Sequence, residues 1–186
     1  MTKPSLPEKV VSVHDALVRA GVAHAFGGAL ALAYYAVPRA TVDIDVNVFL
    51  PPDEAPRVLD VLAAIGVDVA GAKPERIQRD GQVRLRWGAN PVDVFFSSLP
   101  LHDAMAAAAR LLPFGEDELP FLSAEHLLVC KAVFDRRKDW LDIEQMLFAR
   151  DVLDVAEIRK WLTRIAEDGD QRVRRLEQLI DSIRGP

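Results

Sequence analysis

Cysteine is almost absent from this chain: Cys130 is the only one among 186 residues. An internal disulfide is therefore excluded, and Cys130 has no second thiol with which to hold a zinc ion. Long apolar runs are missing too. No stretch reaches the ~18 uninterrupted apolar residues of a membrane-spanning helix, and the opening Met1-Thr-Lys-Pro-Ser-Leu-Pro-Glu8 has no apolar core like that of a secretory signal. The expectation is a cytoplasmic protein with no membrane partner. Positive charge is in short supply: 23 Lys and Arg face 28 Asp and Glu, a formal net charge of -5. A protein that coats nucleic acid through a broad basic surface is excluded, so any polyanion must be met locally.

Several chemical signatures are lacking as well. Neither G-x-G-x-x-G nor G-x-x-x-x-G-K-[ST] occurs, which removes the usual support for dinucleotide and P-loop binding. No nucleophile elbow is present. The four histidines, at 14, 24, 102 and 126, show no zinc-ligand spacing, and His24 reads as a satisfied core histidine. Trp87, Trp140 and Trp161 are too widely spaced to form a base-stacking platform and read as core or interface residues.

Half of the residues are apolar and 27% are charged, enough for one sizeable domain or for a domain with a helical appendage. Apolar spacing predicts a helix over 7–20, stopped by Gly21, and a short buried strand over 22–26. Gly27-Gly28 breaks that strand, and good helix formers follow over 29–36. A strand over 42–50 comes next, then a helix from Asp53 to Ile65 closed by Gly66. Strand-like pieces are expected at 67–69, 76–78, 83–87 and 92–96, with Asp80-Gly81 as a hairpin turn. From residue 101 helical periodicity dominates, over 101–111, 124–134, 138–150, 155–166 and 171–183. Asp154 with Glu157 has the form of a capping box. The expected class is α+β: a small mixed-sheet core over 1–100 flanked by helices, with a helical C-terminal part over 101–186.

The segment Arg39-Ala-Thr41-Val-Asp43-Ile-Asp45-Val-Asn-Val-Phe49 carries the most functional information. Its β-branched residues favour an extended backbone, and alternate side chains of a strand share a face, so Asp43 and Asp45 should point the same way. Two carboxylates ~5 Å apart repel by about 1 kcal/mol in water and by more near a protein surface, and so call for a cation. A hard divalent ion such as Mg2+ or Mn2+ suits them, held by one or two carboxylates together with substrate phosphates. Gly27-Gly28, at a strand-to-helix turn, offers backbone N–H groups and a helix N-terminus to a phosphate. Asp93, in the apolar run Val92-Asp93-Val94-Phe95-Phe96, needs a partner or a metal. On a strand beside the first it would complete a three-carboxylate cluster able to hold metal ions under a triphosphate.

Gly27-Gly28-Ala-Leu-Ala-Leu, the Arg39-x-Thr41-x-Asp43-x-Asp45 strand and the later Val92-Asp93-Val94 together resemble the nucleotidyltransferases of the DNA polymerase β superfamily. Lys131, followed by Arg136-Arg137-Lys138-Asp139-Trp-Leu-Asp142-Ile143, resembles the AbiEii-like group of abortive-infection, type IV toxins in particular. The resemblance spans roughly residues 22–148. It departs from better-known members in having Gly28 where a serine is common and in lacking a large C-terminal domain. It implies a Mg2+-dependent enzyme moving a nucleoside monophosphate from an NTP to a hydroxyl. In it Asp43, Asp45 and Asp93 bind metal, Gly27 and Gly28 take the β and γ phosphates, Lys131 neutralises the triphosphate, and Arg39 and Thr41 support the site. It further implies a toxin with a cognate antitoxin and a tRNA or other RNA end as acceptor. An antibiotic or protein hydroxyl is the alternative acceptor. Two rivals are a glycosyltransferase, which also uses Asp-x-Asp, and a non-catalytic protein that has kept the fold. Asp139 and Asp142, three apart on a helix, are expected to pair with the basic run Arg136–Lys138, the alternatives being that either orients Lys131 or contacts the acceptor.

Overall fold

Ser5 starts the first helix by capping it. Its hydroxyl accepts from the Glu8 N–H while its own N–H donates to the Glu8 carboxylate, so two backbone donors are satisfied at once. In the computed structural model, which describes residues 3–149, 153–167 and 169–184, that helix is α1, Leu6–Arg19. It buries Val10, Val13, Ala16 and Leu17 along one stripe and ends, as expected, just before Gly21. The chain then forms β1 (His24–Phe26), α2 (Gly28–Leu32), β2 (Ile44–Val48), α3 (Ala55–Ala64), α4 (Pro74–Asp80), β3 (Gln82–Trp87) and β4 (Asn90–Phe96). There follow α5 (Pro100–Ala108), β5 (Arg110–Phe114), β6 (Asp117–Phe121), α6 (Ala124–Phe134), α7 (Arg137–Ala149), α8 (Val155–Ile165) and α9 (Gln171–Arg184). The expected end of the 138–150 helix, Arg150, lies outside the described residues.

Among the described residues six strands form one mixed sheet in the order β3-β4-β2-β1-β6-β5. β2 runs parallel to β4 and β1 parallel to β6, while β1–β2, β3–β4 and β5–β6 are antiparallel. One face is built from Ile44, Val46 and Val48 of β2 and Val92, Val94 and Phe96 of β4, all fully or almost fully buried. This alternation puts the intervening residues on the opposite face.

The chain divides into two compact units, Met1–Leu30 with Ala40–Leu122, and Ala31–Arg39 with Ser123–Pro186. The first holds the whole sheet. In the second, α6 is apolar around most of its circumference, as a helix must be when neighbours cover several sides, and α7, α8 and α9 all pack on it. No helix of the described residues is long and apolar enough to cross a membrane.

Three elements differ from expectation. Residues 76–78 belong to helix α4, not to a strand, because Pro74 opens it and Gly81 closes it in the left-handed conformation, its N–H bonded to the Ile77 carbonyl. Asp80-Gly81 is therefore a helix end, and the hairpin turns instead at Gly88-Ala89, where Trp87 and Asn90 pair. The helix expected over 101–111 stops at Ala108, and a hairpin follows whose turn contains Gly115. Residues 67–69 contribute only an isolated bridge from Asp68 to Arg86.

Candidate active site

Strand register decides whether the acidic residues meet. Asp45 of β2 lies opposite Asp93 of β4, and Asp93 lies opposite Arg84 of β3. Residues opposite one another on neighbouring strands share a face, so Arg84, Asp93 and Asp45 form one row across three strands. The row ends at the glycine turn, where the Gly27 N–H donates to the Asp45 carbonyl at 2.9 Å. Asp43 sits one alternation before Asp45, just ahead of β2, with its N–H held by the Thr41 hydroxyl at 3.1 Å. Asp45 and Asp93 thus stand on one side of the sheet, with Asp43 two residues before Asp45 in the chain.

Arg84 binds Asp93 with two hydrogen bonds, Nε to Oδ1 at 2.8 Å and Nη2 to Oδ2 at 2.7 Å. Its guanidinium is held even more firmly protonated than usual, chiefly by the Asp93 hydrogen bonds and charge, with smaller contributions from Asp43 and Asp45. A cation is therefore already bound to one of the three carboxylates, Asp93. The sequence reading missed Arg84. The signal was present, since Arg84 and Asp93 fall opposite each other once the hairpin is folded about Gly88-Ala89.

The glycine turn is shaped around Asp45. Gly28 has φ of 55°, and a Cβ built there would run into the Asp45 carboxylate. This explains the departure from serine, because any side chain at 28 would have to displace Asp45. Gly27 is also tight: a Cβ would lie 3.1 Å from Asn47 Nδ2 and 3.4 Å from Leu122 Cδ1. Since the Gly27 N–H is committed to Asp45, Gly27 shapes the bend rather than offering a donor. Helix α2 has five residues instead of the eight expected over 29–36, so its dipole is correspondingly small.

A second arrangement fixes the approach to Asp43. Lys9 of α1 is buried and donates from Nζ to the Trp87 carbonyl at 2.8 Å and to Asn90 Oδ1 at 2.7 Å. Asn90 Nδ2 in turn donates to the Val42 carbonyl at 2.9 Å. The hairpin turn is thus tied both to α1 and to the residue preceding Asp43.

Arg39 and Lys131 belong to the other unit. Lys131, buried on α6, donates to Asp142 Oδ2 at 2.6 Å, and Arg39 Nη2 reaches the same oxygen at 3.3 Å. Asp139 takes Arg136, as expected of the basic run, whereas Asp142 takes Lys131 and Arg39 instead. Burial pushes the Cys130 thiol up to about 12, which leaves it unreactive. His24 is satisfied in the core, as its sequence context suggests: Nδ1 meets the Val22 carbonyl at 2.9 Å and Nε2 meets His14 Nδ1 at 3.0 Å.

Among the described residues no three of His, Cys, Asp and Glu gather tightly enough to form a ready-made metal cage. The donor set nonetheless suits Mg2+. It is all carboxylate oxygen, Asp45 and Asp93 lie side by side and Asp93 already holds a cation, and Mg2+ typically takes one or two carboxylates and fills its remaining positions from substrate phosphates and water.

No family model matches the chain, and no curated protein is significantly similar to it in sequence. Solved structures are similar in fold. The antibiotic-resistance factor ANT(2'')-Ia, crystallised with adenylyl-2''-tobramycin, superposes with a TM-score of 0.56 at 12% identity over 96% of each chain. The lincosamide antibiotic adenylyltransferase LnuA, bound to lincomycin, gives 0.54 at 15% identity over 75% of this chain and 95% of its own. An antigenic nucleotidyltransferase-like protein from Paracoccidioides brasiliensis gives 0.55 at 16% identity over 96% of each chain. The fold is that of the nucleotidyltransferases.

Proposed function

We propose that this chain transfers a nucleoside monophosphate from an NTP to a hydroxyl acceptor. The observation that carries the reading is the in-register pairing of Asp45 with Asp93 beside a glycine turn, with Asp43 two residues before Asp45. Asp43 and Asp45 would hold Mg2+ or Mn2+. When bound, the metal supplies charge neutralisation of the phosphate oxygens and a lower pKa for the attacking hydroxyl. Asp93 would accept the proton of that hydroxyl as its oxygen bonds to the α-phosphorus and the bond to pyrophosphate breaks. Gly28 would leave room at the turn for the Asp45 carboxylate, and Thr41 would keep Asp43 in place. The role of Lys131 as the triphosphate's cation comes from the AbiEii-like resemblance and forms part of the same proposal.

Among acceptors, a small hydroxylated molecule is favoured over an RNA end. The chain carries a net charge of -5, which suits a neutral or cationic acceptor better than a polyanion. It also matches nearly the full length of ANT(2'')-Ia in fold, and the adenylylated product bound there is an antibiotic. A tRNA or RNA acceptor, with a toxin role and a cognate antitoxin, is the second reading and rests on the segment around Lys131.

The test is incubation with each of four α-labelled NTPs and Mg2+ against a panel of aminoglycosides, lincosamides and total RNA. Label is expected on a small hydroxylated compound, with loss of about 10²-fold or more in Asp45→Asn, the scale for removing one electrostatic element of a catalytic site. Labelled RNA would select the second reading. Transfer that survives in both Asp43→Ala and Asp45→Ala would reject the enzyme assignment.

A further inference from the structure

Arg84 has no part in the reaction just described, yet it sits on the group that must take up the proton. Its guanidinium grips both oxygens of Asp93, and its charge is felt by Asp43 and Asp45 as well. The Arg84 side chain is 63% exposed and that of Asp93 15%. The carboxylate is therefore the fixed partner, and the guanidinium, on a flexible stem in solvent, is the one free to leave. While it stays, Asp93 is neutralised as a base, and a dication approaching the row meets a positive charge.

We propose that Arg84 is a displaceable counter-ion that masks Asp93 and yields to the divalent cation when metal and nucleotide bind. The inference rests on the reading of this face as a nucleotide site. A cross-strand ion pair that merely pinned β3 to β4 would leave metal affinity unchanged when its positive charge is removed. The register sets Arg84 beside Asp93 and Asp93 beside Asp45, so its charge stands at the end of the acidic row where a cation would enter. Arg84 is thus a positioning residue, setting when Asp93 becomes available and how much metal is needed.

The proposal is tested by Mn2+ binding to the full chain without nucleotide, followed by electron paramagnetic resonance. Arg84→Gln removes the charge, and Arg84→Lys keeps the charge but loses the two-pronged grip. Arg84→Gln is expected to bind Mn2+ about tenfold tighter than the parent, with Arg84→Lys in between, as one competing charge is removed from a partly exposed site. In an Asp93→Asn background the gain from Arg84→Gln should fall below twofold. Because Arg84 is exposed, the variants should melt like the parent, and thermal melts would verify this. Measurable but equal Mn2+ affinity in parent and Arg84→Gln would overturn the masking role and leave the acidic site standing. Absence of Mn2+ binding in both would overturn the nucleotide reading and the masking role together.

Discussion

Gly28 is the position with least tolerance. A side chain there faces a left-handed backbone, which costs roughly 1–2 kcal/mol for a non-glycine residue, and it must also displace the Asp45 carboxylate. Gly28→Ala should therefore lower the melting temperature by several degrees and abolish Mn2+ binding, whereas Gly21→Ala, with the same sign of φ and only an arginine end 3.9 Å away, should affect stability alone. Equal Mn2+ binding in the two variants would contradict the contact between the turn and Asp45. His24 makes a different demand. Burial, chiefly, holds its imidazole down to about 4, with His14 adding to the effect and the Val22 carbonyl opposing it. The unfolded chain protonates His24 near 6.5, so it binds more protons than the folded chain between those values. Stability is then full above about pH 6.5 and falls by up to about 3 kcal/mol as pH drops towards 4. Urea melts of the parent and His24→Asn at pH 7 and 4.5 would isolate this component. The same pH slope in both would rule His24 out as its source.

The elements show which kinds of order a sequence displays openly. The strand carrying Asp45 was legible because β-branched residues and alternation act locally, although it begins at Ile44 and leaves Asp43 just ahead of it, and the apolar run 92–96 was legible as a strand but not its place beside the first. Helix α4 was not, because Arg76-Ile77-Gln78 is too short to reveal a helical period and Asp-Gly is shared by hairpin turns and helix ends. The β5–β6 hairpin was hidden for the opposite reason: the alanine-rich stretch extends a helical pattern up to residues that leave it only when they pair along the sheet. The partner of Lys131 was named only as an alternative, Asp139 or Asp142, since Lys131 and Asp142 lie on different helices and spacing does not choose between the two. Their meeting has a consequence for stability. Both are buried, so Lys131→Met leaves the Asp142 carboxylate with only the more exposed Arg39 at 3.3 Å and should cost up to about 3 kcal/mol, whereas Lys131→Met with Asp142→Leu should recover part of that loss. Denaturant melts of the two variants check this, and equal destabilisation by both would mean that packing rather than charge dominates at the pair.

On the scale of the whole molecule, the order of strands matters more than the motifs taken one by one. Gly27 to Asp45 to Asp93 to Arg84 is a single line across β1, β2, β4 and β3, assembled from chain segments dozens of residues apart. The sequence named three of these four residues, and only the fold supplied their alignment and the fourth. The far side of the same sheet ends in β5, whose Leu111 is 65% exposed and whose Pro113 stands within the strand. A proline has no N–H, so β5 lacks one backbone donor at that position. Pro113→Val should restore the missing donor, raise strand preference beside an apolar side chain and hasten thioflavin-positive fibril growth on warming, while unchanged fibril kinetics would show that the missing donor does not limit it. One imino acid thereby withholds a backbone donor from one of the two strands that end the sheet.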